Sequence, residues 1–197
     1  CDVKKTIRDY DFNGKTALVR VDFNVPLKDG VVTGDDRIVK AIPTINYLLD
    51  NGAKVVLMSH LGRPKGKYNK DMSMEAVAKK TSELLGKDVK FIASKEVIDE
   101  KVLEEVKNLK AGEVALLENL RFNPGEEKND SDFSKKLASL GDIFVNDAFG
   151  TAHRAHASNV GVTEYLPSAA GFLIEKEIKY FDEALKNPQR PFVAILG

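Results

Sequence analysis

Arginines placed just after apolar runs are the residues of this sequence best suited to chemistry. Arg63 stands in SHLGRPKGK (59–67) after KVVLM, Arg121 in ENLRF after VALL, and Arg154 in NDAFGTAHRAHAS after DIFV. Arg37 follows RVDFN by a short interval. The chain has only seven arginines, so four in such places form a concentration. Guanidinium groups bind phosphate and carboxylate bidentately and keep their charge at any physiological pH. Four of them gathered together would repel one another, which implies a ligand with several negative charges. His60 and His153 add hydrogen-bond donors beside the arginines. Asp22 and Asn24 cannot add to a positive field, but they can share hydrogen bonds with a ligand hydroxyl. The combination points to a small, multiply anionic, hydroxylated metabolite.

Competing chemistries fit less well. GRPKGK is one residue too short for a Walker P-loop, and Tyr68 stands where the Mg²⁺-binding hydroxyl should be. No G-x-G-x-x-G occurs, so the dinucleotide fingerprint is missing. Lys65, Gly66 and Lys67 read as a turn with solvated cations. The H-R-A-H spacing of His153 and His156 is compatible with zinc, but no third ligand is evident and Arg154 would repel a cation. Nothing pairs a nucleophile with an activating base, and Cys1 is terminal. Arg8 and Arg190 read as surface charges, Glu126, Glu127 and Lys128 as a solvated loop, and Asn129-Asp130-Ser131 as a helix cap.

Such residues need elements to position them. Apolar, β-branched runs at 16–23, 53–59, 88–93, 113–119, 142–149 and 191–197 lack polar alternation, as strands buried on both faces of a parallel sheet do. Helical patterns lie between them. One starts at cap Asp36 and stops at Gly52, with Pro43 expected to kink it or delay its start. Others run from cap Ser73 to Leu85, weakly over 96–109, from Ser131 to Leu140 with Gly141 as the C-terminal glycine, and over 171–185. Alternating strands and helices predict a three-layer αβα fold with a doubly wound, mainly parallel, Rossmann-like sheet. Ligands of such sheets bind beyond the carboxyl ends of the strands, where DFN, SHLGRPKGK, ENLRF and NDAFGTAHR all fall.

Composition narrows the function classes. Thirty Lys and Arg balance thirty Asp and Glu, so the net charge is zero, which argues against nucleic acid or an anionic membrane as partner. A single cysteine excludes an internal disulfide framework. No apolar run approaches membrane-spanning length, and the polar start CDVKKTIRD is unlike a signal peptide, so a cytoplasmic protein is expected.

With these stretches in order along the chain, RVDFNVP (20–26), DDRI (35–38), SHLGRPKG (59–66), LLENLRF (116–122), FVNDAFGTAHRAHAS (144–158) and GFLIEKE (171–177), the sequence resembles the amino-terminal half of phosphoglycerate kinase. The resemblance implies a two-domain kinase that transfers a phosphoryl group between ATP and 3-phosphoglycerate, giving 1,3-bisphosphoglycerate, with Mg-ATP held by the carboxy-terminal domain. It implies substrate-binding roles for Asp22, Phe23, Asn24, Arg37, His60, Leu61, Gly62, Arg63, Arg121, His153 and Arg154. It makes Arg37 the residue that also stabilises the transferring phosphoryl group, and it leaves no nucleotide or metal site in this chain. The expected division is a 3-phosphoglycerate-binding domain over 1–170, an interdomain helix over 171–187 and the first strand of a truncated nucleotide domain over 188–197. A monomer lacking its nucleotide domain, and inactive without it, is expected. The alternative is a free-standing anion-binding domain without catalysis.

Overall fold

The structure is a computed structural model that describes residues 6–148 and 155–176. A six-stranded parallel sheet forms its middle layer. In chain order the strands and main helices are β1 (Thr16–Val21), β2 (Leu27–Lys28), β3 (Val31–Val32), α1 (Asp36–Asp50), β4 (Lys54–Met58), α2 (Glu75–Leu85), β5 (Val89–Ile92), α3 (Glu100–Lys107), β6 (Val114–Leu117), α4 (Ser131–Ala138), β7 (Ile143–Asp147) and β8 (Ser168–Ala170). The sheet order is β5-β6-β4-β1-β7-β8, and β2 and β3 form a small antiparallel hairpin apart from it.

Alternation along the strands divides the core. Ala17, Val19 and Val21 of β1, Val55 and Leu57 of β4, and Val114 and Leu116 of β6 join Ile38, Ile45, Leu48 and Val77 of α1 and α2. Leu18, Val56, Met58, Ala115 and Leu117 face the other way, onto Val102, Val106, Phe133 and Leu137 of α3 and α4. Each fully buried aliphatic side chain contributes about 1.5–3 kcal/mol, so both helix layers are held by burial. The expected three-layer arrangement is what forms.

Several local expectations change. α1 begins well before Pro43, which lies within it. Pro43 sits on the exposed side of the helix, and Val39, four residues earlier, is 47% exposed. Water can therefore serve the carbonyl that proline leaves without its helical partner, while the apolar face keeps the helix docked. The cap is Asp35 rather than Asp36. Met74 takes the cap position of α2, although the Ser73 hydroxyl still accepts from Glu75 N at 3.3 Å. α4 ends at Ala138, and Gly141 serves packing instead, since a Cβ there would fall 2.8 Å from Leu18 Cβ. Asp130 caps α4 as expected, accepting from Phe133 N at 2.9 Å. The strand expected at 191–197, and the interdomain helix beyond Lys176, lie outside the described residues.

Candidate functional site

The sheet order sets β6, β4, β1 and β7 side by side, and all four run parallel. Their carboxyl ends therefore open at one edge. β1 is followed by Asp22, Phe23 and Asn24, β4 by Ser59 to Arg63, and β6 by Glu118 to Arg121. His153 and Arg154, which follow β7, lie outside the described residues.

A continuous run of hydrogen bonds joins these strand ends. Arg37 Nη1 donates to Asp22 Oδ1 at 3.2 Å and to the Asn24 carbonyl at 3.0 Å. Asn24 Oδ1 accepts from Gly62 N at 3.0 Å, and the Gly62 carbonyl accepts from Arg121 Nη1 at 3.2 Å. Gly62 takes a positive φ of 63°, a conformation in which an L side chain is strained. Arg37 and Arg121, 84 residues apart in sequence, are thus tied to one framework. Arg63 is exposed, with no side-chain hydrogen bond or ion pair among the described residues. Arg121 Nε is buried without a partner among them.

Asn119 fixes the loop after β4. Its Oδ1 accepts from Leu61 N at 3.2 Å and Arg121 N at 3.0 Å. Its Nδ2 donates to the carbonyls of Leu61 at 2.7 Å and Met72 at 3.0 Å. Beside it, buried Glu118 accepts from Ser73 Oγ and Met74 N, each at 2.8 Å, which ties the end of β6 to the start of α2. Phe23 and Leu61 are themselves core residues, 0% and 4% exposed. Their side chains brace the loops, and the Phe23 N–H is taken by Ser59 Oγ at 2.9 Å. Lys65 and Lys67 are exposed, and left-handed φ values of 60° at Lys65 and 76° at Gly66 agree with the turn reading.

The electrostatics bring in a residue that the arginine pattern overlooked. Arg20, inside β1, is 2% exposed, and its Nη2 contacts His60 Nδ1 at 2.9 Å. Burial, then the charges of Arg20, Arg121, His156 and Arg37, push the His60 imidazole down to about 3. His60 is therefore neutral throughout the physiological range and meets a ligand as a dipole. His156 is also lowered, chiefly by burial. A cation within an otherwise apolar strand was the available signal for Arg20, because a doubly buried strand has no place for an unpartnered charge.

One charge assignment changes. Glu126 is 0% exposed, not part of a solvated loop; it accepts from Ser158 N at 2.9 Å and from the Ser158 hydroxyl. Arg8 is exposed, as read from the sequence, and there it pairs with Glu175 and lies 4.5 Å from the Phe172 ring centre. Among the described residues no group of three or more His, Cys, Asp or Glu side chains could hold a metal ion, and no helix is long and apolar enough to cross a membrane.

Comparison with known proteins gives one consistent answer. The family model described as phosphoglycerate kinase matches residues 7–197. Curated relatives include the phosphoglycerate kinases of Finegoldia magna, 58% identical over 98% of this chain and 49% of the relative, and Thermosipho africanus, 60% identical over 98% and 48%. Among solved structures, phosphoglycerate kinase from Coxiella burnetii is 40% identical with a TM-score of 0.83, covering 95% of this chain and 46% of its own. That from Pyrococcus horikoshii is 41% identical with a TM-score of 0.84, covering 95% and 47%.

Proposed function

Because the chain belongs to the phosphoglycerate kinase family and spans about half the length of the curated relatives it matches, we propose that it is the acceptor-substrate half of such a kinase. In this reading it holds 3-phosphoglycerate while a carboxy-terminal domain supplies ATP, and the phosphoryl group passes reversibly to give 1,3-bisphosphoglycerate. The observation that carries it is the run from Asp22 through Arg37, Asn24 and Gly62 to Arg121, with neutral His60 beside it. Two tethered guanidiniums, backbone polar groups and a neutral imidazole suit a small acid that bears a phosphate and a hydroxyl.

The chemistry asks little else of this half. The acceptor carboxylate is already ionised at neutral pH, so the reaction needs position, charge neutralisation and exclusion of water rather than a general base. Arg121, with a buried Nε–H that has no partner among the described residues, gains most from a ligand oxygen, since such a group costs about 1–3 kcal/mol unpaired. Arg63, His153 and Arg154 complete the grip on the acid and its phosphate. Asp22 and the Asn24 carbonyl hold Arg37 at the rim, where it reaches the transferring phosphoryl group. The described residues do not fit a magnesium site, so no step is assigned to the metal here. Mg-ATP belongs to the second domain in this proposal, and the chain alone turns nothing over.

Two measurements test the reading. Ligand at a hundredfold over its Kd should stabilise the chain by about 2.7 kcal/mol; 3-phosphoglycerate should raise the melting temperature under conditions where sulfate does not. The opposite pattern would remove the substrate assignment. In the enzyme with both halves present, Arg37→Ala should lower kcat more than it raises KM, and a pure rise in KM would remove Arg37 from the transition state.

A further inference from the structure

A buried chain of polar groups runs from the interior to His60, and the reaction outlined above leaves most of it unexplained. Glu126 and Ser158 are 0% exposed and Arg20 is 2% exposed. The Ser158 hydroxyl donates to Glu126 Oε2 and accepts from Arg20 Nε at 2.9 Å. Arg20 Nη1 donates to the Val21 carbonyl, and Nη2 lies 2.9 Å from His60 Nδ1. These four side chains come from distant stretches: β1, the loops after β4 and β6, and the segment after β7.

The donor inventory settles which way this chain is polarised. A guanidinium has only N–H donors, so His60 Nδ1 must receive the bond through a lone pair. His60 then carries its proton on Nε2, which has no hydrogen-bond partner among the described residues. An arginine buried at the middle of a sheet is unfavourable unless its donors are satisfied and a counter-charge is close. The Ser158 hydroxyl takes the Arg20 Nε–H, and the Glu126 carboxylate behind it supplies the counter-charge. Their joint effect is to hold one guanidinium N–H on one imidazole nitrogen.

We propose that Glu126 and Ser158 are positioning residues that act through Arg20 to lock His60 in its neutral Nε2–H tautomer, so that a single outward donor is presented to the oxyanion ligand. This rests on the acceptor-site reading for the identity of the ligand, but the tautomer itself does not. A freely rotating or exchanging imidazole would offer an acceptor lone pair to an anion part of the time, and that arrangement is repulsive. Locking the ring removes it without placing another charge among the arginines.

The test is the ring nitrogen spectrum of His60 in the unliganded chain. The sequence has three histidines, so uniform ¹⁵N-histidine labelling gives three ring patterns, and His60→Gln identifies the one that belongs to His60. At pH 7 the wild type should show a single pattern, with Nδ1 unprotonated and Nε2 protonated. Ser158→Ala should convert it to an exchange-averaged mixture and weaken 3-phosphoglycerate about tenfold. Glu126→Gln, which keeps the side-chain shape, gives the same readout if Ser158→Ala does not fold. A wild-type spectrum with the proton on Nδ1 overturns the proposal. So does an unchanged His60 pattern in a folded variant, which would leave Glu126 and Ser158 as supports of the fold alone. Failure of 3-phosphoglycerate to bind a wild type whose tautomer is fixed would instead sink the substrate reading.

Discussion

Replacing Asp147 with Asn should become more favourable to stability as pH rises. Asp147 ends β7 and is 0% exposed; its Oδ1 accepts from Leu173 N at 3.0 Å, while Oδ2 is buried with no partner among the described residues. Burial pushes its carboxyl from 3.8 up to about 7, against the Leu173 N–H and the Thr44 hydroxyl, which both favour the anion. A carboxyl whose folded pKa is raised stabilises the fold fully below its ordinary value, and that contribution is lost as pH rises through 7. Between pH 5 and pH 8 the wild type should therefore lose roughly 2–3 kcal/mol at this residue, as linkage gives for these two pKa values. Asn keeps the acceptor for Leu173 but cannot ionise. At pH 5 it replaces a carboxyl that is itself protonated in the folded state, and at pH 8 it spares the buried charge. Urea titrations of both proteins at the two pH values give the difference directly, and every other titrating group cancels. The stability difference between variant and wild type should move by about 2–3 kcal/mol in favour of the variant. A difference that stays flat across this range would refute a buried, titrating Asp147.

Two further substitutions probe the framework of the site. Asn119→Ala removes two accepted and two donated hydrogen bonds at the loops carrying Leu61, Met72 and Arg121. It should lower unfolding free energy by about 3–4 kcal/mol; a loss below about 1 kcal/mol would mean these loops are held by other contacts. Gly161→Ala places a Cβ 1.9 Å from Ser134 Oγ and 2.6 Å from Asn129 Oδ1, so it should destabilise by about 1–3 kcal/mol. Adding Ser134→Gly should recover part of that loss, and equal stability of single and double variants would show that the clash is relieved elsewhere.

Much of the fold is legible in the residues because burial on both faces leaves a simple signature. Runs such as KVVLM and VALL are too apolar to be anything but inner strands, and β4 and β6 form inside them. Ser168–Ala170 and the two-residue strands of the hairpin carry no comparable signal, since three small residues or two apolar ones occur in any loop. Asp22, Asn24, His60 and Arg121 are legible as neighbours because they follow parallel strands whose carboxyl ends share one edge. Arg20 and Glu126 are not accessible by the same route, because one lies inside an apolar strand run and the other inside a charged triplet. Their significance depends on Ser158 reaching both, which is a tertiary fact. Pro43 shows the converse, a strong local rule overridden because its helix is fixed by the opposite face.

The bonds that shape the site span long stretches of chain, and this has a bearing on synthesis. Leu61 waits for Asn119, 58 residues later, and Arg20 waits for Ser158, 138 residues later. A polypeptide growing from its amino terminus thus exposes Arg20, and His60 that bonds to it, well before the Ser158 that orients Arg20. Contacts of such separation also slow folding, because loop closure must precede any gain from them. A nascent chain that has released only β1 and β4 carries Arg20 without the groups that satisfy it. The buried Arg20 network is completed only when the segment bearing Ser158 joins the body.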